Sequence, residues 1–478
     1  MAGFQEFFRN IFESLRKKIT AMKEQTIGLC FFFTSFLWLF LLSYRFQFMY
    51  GDDITYIIEA AKGFSFPQGF IFIPRFFFIY IYKVIFFFFG FQPFYFHLVK
   101  TLIGALLLYF YFRLATHYFE KNKALFVSIF LMTSSLFVFT TIWIAEPVTL
   151  ATLFRILIIY LLLFSKESPS NYFLIALLLP AALFSKEFNL VLFPLLTYYL
   201  LTKLQGWKKC VAVIPVALFV SYLIFVPTRH YSTLNLNNLL FFSSVLSKYY
   251  TPLLLIFVFA YIVFIIFNKV KTKTFFQYDT ETFLCLWFLL LFGMLLFGVN
   301  QEERYIMELL PPFLLLAVLA LQWLWKTNFF QQHQKLCILL ISGIVVYIIL
   351  INSAGILKIE VGWGSFFRGV AEISEKIDKD YPGSLLVYQS GTGDFSGAFH
   401  NFTVMQISSA LSMTLLYDAQ NHGNYTSILY VEYPASIRIY PTPDMTLFDN
   451  EFTIKEGIYK FEVYSLSRDQ EEQNATNN

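Results

Sequence analysis

The chain has 478 residues, of which 58% are hydrophobic and only 14% charged, with a formal net charge of +4. No basic, aromatic-laced patch argues for nucleic acid, and no Gly-rich nucleotide loop is present. Apolar runs of about 20 residues recur, and a helix of that length spans roughly 30 Å of hydrocarbon, so the composition is that of a polytopic helical membrane protein.

In chain order, residues 1–26 come first, with Arg9, Arg16, Lys17, Lys18 and Lys23, and are expected to form an amphipathic cytoplasmic segment. The first apolar run starts only near residue 27 and has no small-residue cleavage site, so it reads as a span, not a removable leader. Spans are expected at 27–47, 93–118, 124–142, 147–164, 172–185, 188–202, 210–227, 250–267, 283–299, 307–325 and 336–354, with a broken or tilted pair around Lys186.

Residues 70–90 are long enough to cross but carry Arg75 and Lys83. A cation at mid-bilayer costs about 2.5–3.5 kcal/mol on the insertion scale. If this segment stays out, the loops with Lys121/Lys123, Lys166, Lys203/Lys208/Lys209, Lys269/Lys271/Lys273 and Lys326/Lys335 all fall inside; if it crosses, all fall outside. The positive-inside rule favours the first choice. The fold class is then an all-α polytopic membrane protein with 11 transmembrane helices plus interfacial helices, the N-terminus inside and the C-terminus outside.

That count gathers Asp52, Asp53, Arg75, Glu146, Lys186, Glu187, Arg229, Glu302, Glu303 and Arg304 at outer span ends, a mixture of acids and bases unlike the Lys-rich inner loops. In the first outer loop, "YGDDITYIIEAAKG" places Ile54, Ile57, Ile58 and Ala61 on one face of a short interfacial helix. Asp52 suits its N-cap, worth roughly 0.5–2 kcal/mol. Capping needs one acid, however, and Asp53 makes two.

Here the chain resembles the glycosyltransferase C superfamily, the membrane enzymes that include protein O-mannosyltransferases and lipid A aminoarabinose transferases. "YGDDITYIIEAAKG" is similar to the family's acid pair after span one, with Asp-Asp where Asp-Glu is frequent. "FPQGFIFIPRFFFIYIYKVIFFFFG" resembles its second juxtamembrane stretch, and "WIAEPVTLATLFRILIIYLLL" the opening of the fourth span, where Glu146 holds the place of a site acid. "LFSKEFNLVLFPLLTYYLL" resembles the Lys-containing turn between spans five and six, and "EERYIMELLPPFLLLAVLAL" a late Arg-Tyr stretch.

The resemblance implies transfer of a sugar from a polyprenyl-phosphate donor to a hydroxyl on the non-cytoplasmic side, with inversion. Such a displacement passes through an oxocarbenium-like transition state, needs one base for the acceptor's proton, and needs cations on the departing phosphate. Asp52 is the expected base, with Asp53 and Glu146 as further candidate catalytic acids. Lys186, Arg304, Arg75 and Arg229 are the candidate phosphate-binding cations, and Tyr305 stands beside Arg304 as packing or recognition. Each has a plainer alternative: Lys186 paired with Glu187 or snorkelling, Arg304 in a loop salt bridge with Glu302 or Glu303, Arg75 as an interfacial anchor, and Glu146 as a helix-start acid before Pro147.

No cofactor is expected. The six histidines are scattered without metal-ligand spacing, so metal binding is not indicated, although Asp52, Asp53 and Glu146 form a set that could hold a divalent ion, as in some relatives. From about residue 355 the composition shifts: "FFRGVAEISEKIDKDYPG" is helical, and "SLLVYQS", "TSILYVEY", "SIRIYP" and "GIYKFEVYSL" are strand-like. The expected organisation is 1–26 cytoplasmic, 27–354 transmembrane, 355–467 an exoplasmic or periplasmic α/β domain, and 468–478 a disordered tail. The expected partners are the polyprenyl-phosphate-sugar donor, a glycan, lipid or protein acceptor, and membrane lipids, in a bacterial inner membrane with the site facing the periplasm. The rival readings are a transporter or flippase of a lipid-linked glycan and a non-catalytic assembly protein.

Overall fold

The computed structural model describes residues 22–45, 60, 75–90, 93–143, 147–164, 169–225, 235–275, 277–297, 303–359, 365–381, 385–389, 403–407, 428–432, 448–456 and 459–466. In chain order the helices are α1 (Glu24–Arg45), α2 (Phe76–Phe89), α3 (Pro93–Tyr118), α4 (Lys121–Met132), α5 (Ser135–Val138), α6 (Pro147–Phe164), α7 (Pro169–Leu183), α8 (Leu192–Lys203), α9 (Val213–Phe225), α10 (Leu236–Tyr250), α11 (Pro252–Lys271), α12 (Thr280–Leu296), α13 (Leu310–Trp325), α14 (Asn328–Gln332), α15 (Gln334–Ile359) and α16 (Ser365–Asp380). A π-helical turn, Phe139–Trp143, follows α5, and 3-10 segments Glu187–Val191, Gly206–Ala212 and Glu303–Glu308 precede α8, α9 and α13.

Among the described residues, four helices are long and apolar enough to cross a bilayer: Glu24–Ser43, His97–Tyr118, Pro252–Lys271 and Gln334–Lys358. The pair Lys121–Met132 and Ser135–Ile142, bent by 60°, makes a fifth if taken as one broken span. Shorter apolar helices include Phe76–Phe89, Pro147–Leu163, Ser170–Leu183, Thr280–Leu296 and Leu310–Trp325. The 14 residues of α2 rise about 21 Å at 1.5 Å per residue, short of the hydrocarbon thickness. Three spans read as continuous from sequence, 188–202, 210–227 and 307–325, instead begin with a 3-10 segment. Helix α10 falls in a stretch read as loop. Its start is fixed by Asn235, whose side chain accepts the Asn237 amide, and its end by Thr251, at φ 68° and capping Leu254 ahead of Pro252.

The described residues divide into two compact units. One comprises those within Met1–Phe40, Phe66–Ile81 and Leu98–Ile356. Its centre is α13, whose first half is buried on every side, from Leu310 to Leu316. A helix apolar all round belongs inside a bundle. The unit's outer helices turn side chains such as Phe33, Phe173 and Leu339 outward, as lipid contact allows. Asn352 of α15 accepts from the Ser135 amide at 2.9 Å and the Ser135 hydroxyl at 3.1 Å, tying the last long helix to α5.

The other unit comprises the described residues within Leu41–Ser65, Tyr82–His97 and Leu357–Asn478. Here α16 packs on a five-stranded sheet of order β2-β1-β3-β5-β4, with β1 (Leu385–Gln389), β2 (Thr403–Ile407), β3 (Ile428–Glu432), β4 (Phe448–Glu456) and β5 (Tyr459–Leu466). β1 runs parallel to β2 and β3, while β5 is antiparallel to β3 and β4. Ile373 and Ile377 of α16 are buried, and Gly369 lies where any side chain would strike the Phe461 ring. The stretches 403–407 and 448–456 form strands that the sequence pattern did not single out; 436–441, read as a strand, lies outside the described residues.

Candidate functional site

Four of the expected site residues, Asp52, Asp53, Glu146 and Arg229, lie outside the described residues, as do the interfacial helix of the first outer loop apart from Ala60, the segment 1–21 and the tail 468–478. The acids read as a conceivable metal set are therefore outside them too. Arg75, Lys186, Arg304 and Tyr305 are described, all in the first unit.

Helix α7 carries Pro180 and stops at Leu183. The chain then turns, and Lys186 adopts an extended conformation (φ −168°, ψ 146°) before the 3-10 segment Glu187–Val191. Helix α2 starts on this turn, because the Phe77 amide donates to the Phe184 carbonyl at 3.0 Å. That contact carries Arg75, one residue ahead of α2, to Glu187, with Nη1 and Oε1 3.0 Å apart. Both side chains are largely buried. Burial pushes the Glu187 carboxyl up, but the Arg75 guanidinium and then the Lys186 ammonium outweigh it, holding the group below its ordinary value.

Lys186 is only 4% exposed, so it does not snorkel to solvent. Its ammonium faces rings: Nζ is 4.8 Å from the Tyr305 ring centroid and 5.9 Å from that of Phe188. The Arg304 guanidinium carbon lies 5.5 Å from the same Tyr305 centroid. Phe188 and Tyr305 touch, their centroids 5.7 Å apart. Two cations distant in sequence thus meet on one aromatic ring, with Arg75 joined to the Lys186 turn through Glu187. Glu303 directs its two oxygens elsewhere, to Lys248 Nζ at 3.0 Å and to the Tyr249 hydroxyl at 2.9 Å. Burial and then the Glu303 charge raise the Tyr249 hydroxyl above its ordinary value.

A second polar cluster was not singled out from the sequence. Arg155, midway along α6, donates from Nε to Asn189 Oδ1 at 2.9 Å and places Nη2 2.6 Å from Glu308 Oε2. Both ion-pair side chains are fully buried. Thr152 donates to the same Glu308 oxygen at 3.0 Å, and Asn189 Nδ2 donates to the carbonyls of Ala182 at 2.7 Å and Ala151 at 3.2 Å. Lys100, also buried, donates to the Ile142 carbonyl in the π turn, four residues before Glu146. The signal for this cluster was present: Arg155 and Glu308 are charges inside apolar runs, and an ionisable residue at such depth asks for a partner and a role.

Residues 74–231, which include Arg75, Lys186 and the 187–191 turn, match the model of the dolichyl-phosphate-mannose-protein mannosyltransferase family. The class is that of a helical membrane protein, with four described helices long and apolar enough to cross a bilayer. The whole-chain fold is similar to the crystal structure of ArnT from Cupriavidus metallidurans in the apo state, at 13% identity and a TM-score of 0.56, over 93% of this chain and 98% of that one. It is likewise similar to ArnT from the same organism bound to undecaprenyl phosphate, at 12% identity and a TM-score of 0.53, over 92% and 98% of the two chains. No curated protein sequence matches significantly.

Proposed function

We propose that this protein transfers a sugar from a polyprenyl-phosphate donor to a hydroxyl acceptor on the non-cytoplasmic side of the membrane, by a single inverting displacement. The observation that carries the reading is the meeting of Lys186 and Arg304 on the Tyr305 ring. Two cations held together, Lys186 buried and Arg304 half-buried, are what a phosphate leaving group needs as its charge grows. The ArnT fold was also captured with undecaprenyl phosphate, a ligand of the implied class.

In this mechanism Lys186 and Arg304 hold the departing phosphate, Arg75 and Arg229 flank it, and Tyr305 keeps the two main cations in place. Asp52 takes the acceptor's proton as the anomeric C–O bond breaks, Asp53 orients the acceptor, and Glu146 faces the reacting sugar. The domain from about 355 to 467 is exoplasmic or periplasmic, in an arrangement of 11 spans with the N-terminus inside. The membrane is a bacterial inner membrane, and the acceptor is a periplasmic glycan, lipid or protein.

One observation favours a second reading, transport of a lipid-linked glycan: the charged pair Arg155–Glu308 is fully buried among apolar helices. Asn189 and Thr152 each bind one member of that pair, which suits a fixed scaffold better than a path for cargo. Comparing surface glycans of cells carrying the wild type or Asp52→Asn tests the proposal. The expected result is loss of one glycan modification with the protein still present in the membrane. An unchanged glycan profile in Asp52→Asn cells overturns it, and glycan movement across proteoliposomes would support the transporter.

A further inference from the structure

We infer that Arg155 is a positioning residue, a single buried guanidinium that holds the Lys186 turn and the Arg304–Tyr305 turn in register for the donor's phosphate; this rests on the function proposed above. The two turns belong to different 3-10 segments, and both pack against α6. Arg155 reaches one through Asn189 and the other through Glu308.

Each link is short in covalent terms. The Asn189 amide donates to the Lys186 carbonyl at 3.2 Å, so a shift of Asn189 moves the backbone from which Lys186 projects. Glu308 lies three residues after Tyr305 in the segment Glu303–Glu308, and in a 3-10 helix residues three apart share a face. Anchoring Glu308 therefore orients Tyr305. Asn189 is itself fixed to α6 and α7 by its bonds to Ala151 and Ala182, so the guanidinium joins parts that are already rigid.

Stability does not explain the pair. Taking two charges out of water costs as much as their attraction returns, and well-packed apolar residues in their place are often neutral or stabilising. What apolar residues lack is direction. A guanidinium is a planar fork, so the Nε hydrogen bond to Asn189 and the Nη2 ion pair with Glu308 stand at a fixed mutual angle. A lysine ammonium, a point charge on a flexible stem, cannot set that angle.

The test uses the full chain in nanodiscs, titrated with undecaprenyl phosphate and followed by tryptophan fluorescence, with thermal unfolding of each variant measured alongside. The wild type is expected to bind, and Lys186→Ala to bind at least tenfold more weakly. The apolar double variant R155M/E308L is expected to melt near the wild-type temperature yet bind at least tenfold more weakly. Arg155→Lys keeps the charge and reads the same question should the double variant fail to fold; it is expected to lose several-fold in affinity while staying folded. Wild-type affinity in either folded variant overturns the positioning role. Absence of binding by the wild type removes the proposed function itself, an outcome read without any Arg155 variant.

Discussion

Arg75 Nη1 stands 3.0 Å from Glu187 Oε1, with the two side chains 11% and 8% exposed. The pair joins the start of α2 to the turn after α7, and the Phe77–Phe184 backbone bond runs beside it. In so dry a place, removing one partner strands the other charge, at a cost of about 3–5 kcal/mol. Glu187→Gln and Arg75→Ala should each lower the unfolding temperature in detergent markedly, while the double variant should lose clearly less than the sum. Strictly additive losses would show that the two groups are not coupled.

The same carboxylate sets a pH dependence. The Glu187 pKa is held below its ordinary value of 4.5, so the unfolded chain binds the proton more readily than the folded one. Its contribution to stability is therefore complete above about pH 4.5 and fades as the pH falls through the lower, folded-state pKa. Thermal unfolding followed from neutral pH down to about pH 3 should show a decline that Glu187→Gln flattens. A decline of equal steepness in the variant would assign it to other carboxylates.

Tyr305 bears two cations, Lys186 at 4.8 Å and Arg304 at 5.5 Å from its ring centroid. The ring face supplies the attraction, worth about 2 kcal/mol or more when desolvated, and the hydroxyl is not needed for it. Tyr305→Phe should bind undecaprenyl phosphate within about twofold of wild type, since only the ring is required. Tyr305→Leu should weaken binding about tenfold or more, because both cations lose their platform. Equal affinities for the two variants would reduce the ring to simple packing.

How much of this was legible in the sequence depends on the physical signal each feature leaves. Apolar run length revealed the helices, and α6 begins at Pro147 where a proline suits the first turn. Lys186, Arg304 and Tyr305 could be chosen as outer-end residues, but their common contact depends on tertiary packing of distant turns, which no local pattern encodes. The 3-10 starts before α8 and α13 were hidden because Leu190, Val191, Ile306 and Met307 already join the apolar runs of the helices they open. Helix α10 was missed for the opposite reason: its polar residues Asn237, Asn238 and Lys248 break the greasy run on which span-reading relies. Arg155 escapes a reading built on charges at span ends, although a charge within a span carries the stronger signal.

Gly104 of α3 supports a last prediction about the packing of the π turn. A Cβ added at this glycine would run into the Thr141 methyl group, with Leu39 Cδ1 3.0 Å away. The bare backbone thus lets α3 close on α1 and on the π turn Phe139–Trp143, whose Thr141 hydroxyl lies 3.4 Å from that of Thr149 in α6. Overpacking of this kind costs about 1–3 kcal/mol, so Gly104→Ala should lower the unfolding temperature. Thr141→Ser removes only the obstructing methyl and leaves the hydroxyl toward Thr149. The double variant G104A/T141S should therefore recover most of the loss, measured by thermal unfolding in the same detergent. A Gly104→Ala protein as stable as wild type, or one that Thr141→Ser fails to rescue, would show that the close approach of α3 to the π turn does not govern this region.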